Sequence, residues 1–351
     1  MDSLKSVLSG SHNIALGIET LRDIDVSDCI AIGSYALQYT TNSIGLNIAI
    51  GKYALQNDEE QDNIAIGVES LRYNTTGYEN VALGNYTLTN NAIGADNTAI
   101  GHNALNTLSD TNGAADSNTA IGSYAMYATN VGLENIAVGA SAGYNMGGEA
   151  NVAIGSNAGS NMTTAVNTTA VGSYAHALYT SSFSTAVGNA ALMYNNNDFS
   201  CAVGYRALMY CSGEGAAYNT AIGSRSLENS TTGFDNTAVG YRSLNGCDAG
   251  YANTAIGTEA GSTLFNGSAN TFLGARAGNN VISGSLNIMI GTNAGVLPGN
   301  SGITGTIGLA SNGFGPYEPS ASHQFVVTTD LSHGFNMDLT TEAPTGTASA
   351  P

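Results

Sequence analysis

The sequence predicts an all-β protein, a parallel β-solenoid of about 18 rungs of about 17 residues each. Three observations carry that expectation. The phrase Asn63-Ile64-Ala65-Ile66-Gly67 returns as Asn97-Thr98-Ala99-Ile100-Gly101 and as Asn236-Thr237-Ala238-Val239-Gly240. Its glycine recurs at Gly17, Gly33, Gly51, Gly67, Gly84, Gly101, Gly122, Gly139, Gly155, Gly172, Gly188, Gly204, Gly223, Gly240, Gly257, Gly274 and Gly291, with a weaker copy ending at Gly308. Finally, each column of the repeat keeps one side-chain character. Such a repeat fixes architecture before any local motif does.

With the glycine as position 0, position −1 is Ile, Val or Leu in all 18 copies. Position −2 is Ala in 15, and −3 is β-branched in 16. A five-residue strand ending at the glycine is expected, with the −1 row, Ile66 among it, as core. The glycine permits a positive φ or a close backbone approach at a corner. Position +3 is always Ala, Ser or Thr, and +4 is Leu or Met in 11 copies and Gly in five, which reads as an opposite wall. A turn such as Asn74-Thr75-Thr76-Gly77 closes the rung.

One rung of roughly 55 Å of chain cannot bury its apolar row, whereas rungs stacked about 4.8 Å apart can. Stacking superimposes the −4 residues. A structural Asn ladder is therefore expected along Asn13, Asn47, Asn63, Asn80, Asn97, Asn118, Asn135, Asn151, Asn219, Asn236, Asn253, Asn270 and Asn287. Side chains at −3, −2 and −1 alternate between faces, and a column of Ala rather than Lys or Glu implies that both faces are covered. A second chain is the expected cover, through the Ala column.

The solenoid is expected over residues 12–308. Residues 1–11, with Leu4, Val7 and Leu8 at helical spacing, read as an N-terminal cap or attachment peptide, since a solenoid end needs cover. Two long intervals, Leu108–Ser117 and Cys211–Ala217, fall at the same turn and should protrude. Residues 309–351 read as a C-terminal cap and low-complexity tail, with a further strand in His323–Thr328.

Composition narrows function. Lys plus Arg number 8 against 26 Asp plus Glu, a net charge of −18, which argues against nucleic acid and against an anionic membrane surface. No 18-residue apolar run is present, so membrane insertion is not expected, and the N-terminal stretch is too short in apolar residues for a signal peptide. Cys29, Cys201, Cys211 and Cys247 lack CxxC spacing and read as small buried thiols.

The phrase Asn-x-Ala-Ile-Gly-x-x-Ala resembles the head repeats of trimeric autotransporter adhesins, the YadA-like head, and is similar to repeats in phage and viral tail-fibre proteins. The resemblance covers residues 12–308 and implies a left-handed, homotrimeric β-roll with a binding or spacer role. The rungs are longer than those of adhesin heads, and no heptad stalk or membrane anchor follows them. These departures favour a virion component over a cell-surface adhesin head, which stays the alternative. Expected partners are further copies of the chain, other virion proteins through either terminus, and a host surface glycan or protein. Localisation at the virion surface follows from the same resemblance.

An enzyme is not expected, because so narrow a rung leaves no pocket, and no cofactor or metal is expected. Of the histidines His12, His102, His176, His323 and His333, His176 falls in the +4 Leu column and reads as packed. Asp28, Asp62, Glu79, Asp96, Glu134 and Asp235 share position −5, a solvated stripe or a calcium column. Arg206, Arg225, Arg242 and Arg276 share +2 on late rungs, a surface or seam column suited to acids of a neighbouring chain or an acidic glycan. Earlier rungs place Tyr35, Tyr53, Tyr86, Tyr124 and Tyr174 there, which suit packing or sugar stacking. Thr at −3 in later rungs raises a third reading, an ice- or crystal-binding solenoid.

Overall fold

The computed structural model describes residues 10–22, 26–39, 45–107, 115–127, 132–295, 301–310 and 325–328. The expected cap and tail, and residues 108–114 of the first insertion, lie outside them. Among the described residues there is no helix, and hence none to cross a membrane. Among the described residues nineteen strands form one sheet in which every neighbouring pair is parallel and consecutive in sequence. This is a parallel β-solenoid.

Strands β1 (Ile14–Leu16) to β17 (Ile288–Ile290) each cover only positions −3 to −1, three residues rather than five. Register is column on column: Ile64 pairs with Val81, Ala65 with Ala82 and Ile66 with Leu83. The +3/+4 segment forms no strand. Its turns still stack by hydrogen bonds between rungs, as from the Leu71 amide to the Thr87 carbonyl at 3.0 Å. The left-handed backbone of +2 and +4 explains this, since Tyr53, Leu55, Glu69 and Leu71 all have φ between 48° and 61°. A third such position is −5, where Asp62 and Glu79 have φ of 60° and 54°.

The corner glycine meets both demands expected of it. Gly67 has φ 144°, and a Cβ there would lie 2.2 Å from the carbonyl oxygen of Gly84 one rung on. The weaker copy is shifted from the expected register. In β18 (Ile307–Ala310), Gly308 pairs with Met289 and thus occupies −2, not the corner. A Cβ at Gly308 would lie 2.7 Å from the Met289 sulfur, so a bulky residue in the interior column requires a bare one beside it. Strand β19 (Phe325–Thr328), within the expected terminal strand, pairs with β18.

The two faces of the sheet are the reverse of expectation. Ala65, Ala82, Ala99 and their column are fully buried, whereas Leu83 and Ile154 at −1 are 43% and 40% exposed. Interior width is the reason. The Ala column faces the +4 column, where fully buried Leu21, Leu37, Leu55, Leu71, Leu88 and Leu105 fill the rung. Only a methyl fits opposite them.

Exceptions follow the same rule. Where +4 is Gly143 or Gly159, Met146 or Met162 at +7 fills the space, its Cε within 2.8 and 2.4 Å of where a Cβ would stand. Where −2 becomes Phe272, the +4 positions on its own rung and the one before are Gly278 and Gly261. Leu, Met and Phe thus exchange places in one close-packed column.

Candidate interaction surfaces

The Asn ladder lies inside the rod. Asn47, Asn63, Asn80, Asn97, Asn118, Asn135, Asn151, Asn219, Asn236, Asn253, Asn270 and Asn287 are buried, and Asn13 is partly so. Each Asn Oδ1 accepts the backbone N–H of the next rung, as from Asn80 to Asn63 at 3.0 Å. Its Nδ2 donates to the closing turn, as from Asn63 to the Gly77 carbonyl at 2.9 Å. The side chain therefore satisfies two backbone groups that the bend from turn to strand would leave unpaired. This column holds the fold and offers no surface to a ligand.

The ladder lapses where −4 is Thr168, Ser184 and Ser200. There the interior turns polar. His176 is fully buried, its Nε2 2.6 Å from Ser181 Oγ, which also accepts from Asn195 Nδ2 at 3.0 Å. Burial pushes its pKa down to about 4, so His176 is neutral at ordinary pH.

A second interior group was not legible in the sequence. Asp58, at +7, is buried and accepts from Asn74 Nδ2 at 2.6 Å, Asn47 Nδ2 at 2.8 Å and Asn63 Nδ2 at 3.3 Å. Burial raises its pKa to about 7 against the pull of those donors. The clue was the column it shares with Asn74 and Asn91.

Cys29, Cys211 and Cys247 are buried free thiols, as expected, and burial pushes the latter two up to about 12. Cys201 departs from expectation. It stands at −3 on the outer sheet face and is half-buried.

The outer columns differ in kind. Asp62, Glu79 and Asp96 are stacked at −5, and a hydrogen bond with Asp96 and then its charge raise the pKa of exposed Glu79. Among the described residues no group of three acids, His or Cys is placed to hold a metal. Further along the same column the acids give way to a ladder of rings, Phe183 on Phe199 at 5.1 Å and Phe199 on Tyr218 at 5.4 Å. Insertion 211–217 projects Ser212, Glu214 and Gly215 into solvent, while Cys211 and Ala216 stay buried.

Of the early tyrosines, Tyr35 and Tyr53 engage each other, Tyr86 and Tyr124 flank His102 edge-on at 5.9 and 5.5 Å, and Tyr174 is exposed. Tyr35 stacks on Tyr53 at 5.0 Å, and Arg72 covers Tyr53 at 4.5 Å. Tyr53, held between Tyr35 and Arg72, has little open face for a sugar. The basic residues beside them are paired as well, Arg22 with Glu19 at 3.0 Å and Arg72 with Glu69 at 3.1 Å.

The late arginines form a column in fact. The Arg225 and Arg242 amides donate to the Tyr205 and Ser224 carbonyls of the preceding rungs at 2.8 and 3.0 Å, so each +2 residue stands one rung above the last. Arg206 and Arg225 share Glu228 at 3.6 and 3.8 Å, and Arg276 pairs with Glu259 at 2.9 Å.

The outer sheet face is a continuous surface feature of the described strands. Its −1 column is aliphatic in every strand from β1 to β17, with Ile, Val, Thr or Cys beside it at −3. No protein-family model matches the chain, and no curated protein is found to be similar to it.

Proposed function

We propose that this chain is a non-enzymatic structural rod that self-associates through its outer sheet face, as a homotrimeric fibre, spike or decoration protein of a phage-like virion with a spacer or host-attachment role. One observation carries the reading: an unbroken aliphatic column runs the length of the sheet, with Leu83, Ile121, Ile154, Ile222, Ile256 and Leu273 all exposed. Soluble monomers rarely leave so long an apolar strip uncovered. Covering the exposed third or so of one such side chain stabilises by about 1 kcal/mol. Summed over the column, the gross gain is on the order of 15 kcal/mol per chain, enough to offset the freedom lost on association.

Self-association was expected through the Ala column; it is now assigned to the row beside it. The copy number of three, the left-handed winding and the virion setting come from the family resemblance of the repeat. The filled interior supports a structural role, because Asp58, His176, Cys211 and Cys247 are all enclosed by neighbouring side chains.

Sedimentation velocity tests the reading. Wild-type chain is expected at three times its 35.6 kDa, and Ile121→Asp/Ile154→Asp at one chain mass with its fold intact, since both side chains already meet solvent. A wild-type chain that sediments as a monomer at tens of micromolar refutes it.

A further inference from the structure

Half of the chain's eight Lys and Arg residues stand in the +2 column of five consecutive rungs, on a chain of net charge −18. Local pairing does not exhaust them. Arg206 and Arg225 divide one carboxylate, that of Glu228. Arg242 alone among the six described arginines has no carboxylate partner, and its buried Nε has no hydrogen-bond partner either. A guanidinium held half-buried with an unmet donor is a site prepared for an anion from outside the rung.

Its surroundings select the anion's carrier. Tyr205 and Tyr241 stand at +1 on alternate rungs, both exposed, with the small Ser224 between them. Arg206 lies over the Tyr205 ring at 5.2 Å and Arg242 over the Tyr241 ring at 5.8 Å. Arg225 also approaches the Tyr205 ring, at 6.0 Å, so Tyr205 orients two arginines and Tyr241 one, while both tyrosines keep more than two fifths of their surface exposed. One rung rises about 4.8 Å, close to the length of one pyranose residue in an extended chain. Arg206 and Arg242 are therefore about one disaccharide apart, the spacing of charges in an alternating uronate or sulfated polymer. A nucleic acid fits poorly, because its dense phosphates would overrun three arginines into acidic surface.

We propose that Arg206, Arg225 and Arg242, flanked by Tyr205 and Tyr241, bind the carboxylate or sulfate groups of an acidic polysaccharide laid along the rod axis. The inference rests on the reading of the rod as a surface-acting fibre, and it names the class of glycan that fibre engages. Arg242 anchors one acidic group with both its charge and its unmet donor. Arg206 and Arg225, partly offset by Glu228, hold the next. The tyrosine rings pack on the apolar faces of the intervening sugars.

Binding of the full chain to hyaluronate, to chondroitin sulfate and to neutral dextran is measured by isothermal titration calorimetry at low and physiological salt. Sedimentation and thermal melting are followed on the same samples. At least one polyanion is expected to bind, more weakly as salt rises, while dextran does not. Arg242→Gln is expected to weaken binding about tenfold, Arg242→Lys to weaken it less, and Arg22→Gln, whose residue is ion-paired elsewhere, to leave it unchanged. The proposal is overturned if neither polyanion binds at low salt, or if Arg206→Gln/Arg225→Gln/Arg242→Gln binds as wild type does. It is also overturned if that triple variant, melting as wild type, sediments as a smaller species, which assigns the column to carboxylates of another copy. A monomeric wild-type chain that binds polyanion through Arg242 instead leaves this site standing and removes the trimer.

Discussion

Replacing Asp58 by Asn gives a direct reading of the buried polar network in the early rungs. In the folded chain the carboxyl has a pKa near 7 because burial disfavours its charge, against an ordinary value of 3.8. The folded state therefore holds the proton more tightly than the unfolded state. Stability contributed by this group is complete below about pH 3.8, is lost as pH rises towards 7, and is flat above it. A gap of about three pH units at 1.36 kcal/mol per unit puts the loss on the order of 4 kcal/mol.

Asp58→Asn removes the titration. It also sets an amide where Asn47, Asn63 and Asn74 all donate, at a cost that does not depend on pH. The quantity to follow is the difference between wild type and variant, which cancels the titration of every other acid. Hydrogen exchange at the amides of β3 (Ile48–Ile50) and β4 (Ile64–Ile66), corrected for intrinsic rates, reads it locally where rungs open independently. Between pH 4.5 and 7.5 the wild type is expected to lose several kcal/mol relative to the variant. A difference that stays constant within about 0.5 kcal/mol across that range refutes the argument.

Two further outcomes test the interior and the outer face. Phe272→Ala is expected to cost about 3–5 kcal/mol, because Gly261 and Gly278 leave nothing to collapse into the space. Phe272→Ala/Gly278→Leu should recover part of it, since φ 71° at Gly278 lies in the same left-handed region as the 46°–50° of the leucines in that column; chemical denaturation that finds the double variant less stable than the single one counts against the exchange rule. On the outer face, Cys201 should react with a maleimide at pH 8.5 in the Ile121→Asp/Ile154→Asp chain and be protected in the wild type. Peptide mass spectrometry reads the modification, and equal labelling in both would place Cys201 away from any contact between copies.

The repeat period, the corner glycine, the −4 ladder and the parallel stacking were legible because each is a backbone demand met by one residue type. Only Gly tolerates the approach of Gly84 to Gly67, and the Asn amide offers both an acceptor to the next rung and a donor to the closing turn. The inside of the rung was not read correctly, since hydrophobicity points to Ile66 and interior width points to Ala65. A signal was present in how size is shared: Phe272 at −2 comes with Gly261 and Gly278 at +4, and Gly143 and Gly159 come with Met146 and Met162. Columns that trade volume share one interior. The left-handed positions were hidden because Tyr53, Leu71 and Glu79 are ordinary residues there, held by stacking rather than by their own preference. Gly308 misled by identity alone, its place being fixed by pairing with Met289.

The outer face carries a distinction that bears on why it is apolar. Were it a wetted surface, its two columns should drift towards polar residues together, because both point the same way from the same strand. They do not. From Thr98 onwards −3 becomes Thr in most strands, while −1 remains Ile, Val or Leu through Ile290. A column that stays aliphatic while its neighbour turns polar is under a demand of its own, and the interior cannot supply it, since the Ala and Leu columns already fill the rung. The proposed contact between copies supplies such a demand. In the proposed self-associated rod the −1 column is the line of closest approach between copies, and −3 its flank, broad and aliphatic over the first strands and narrower after them.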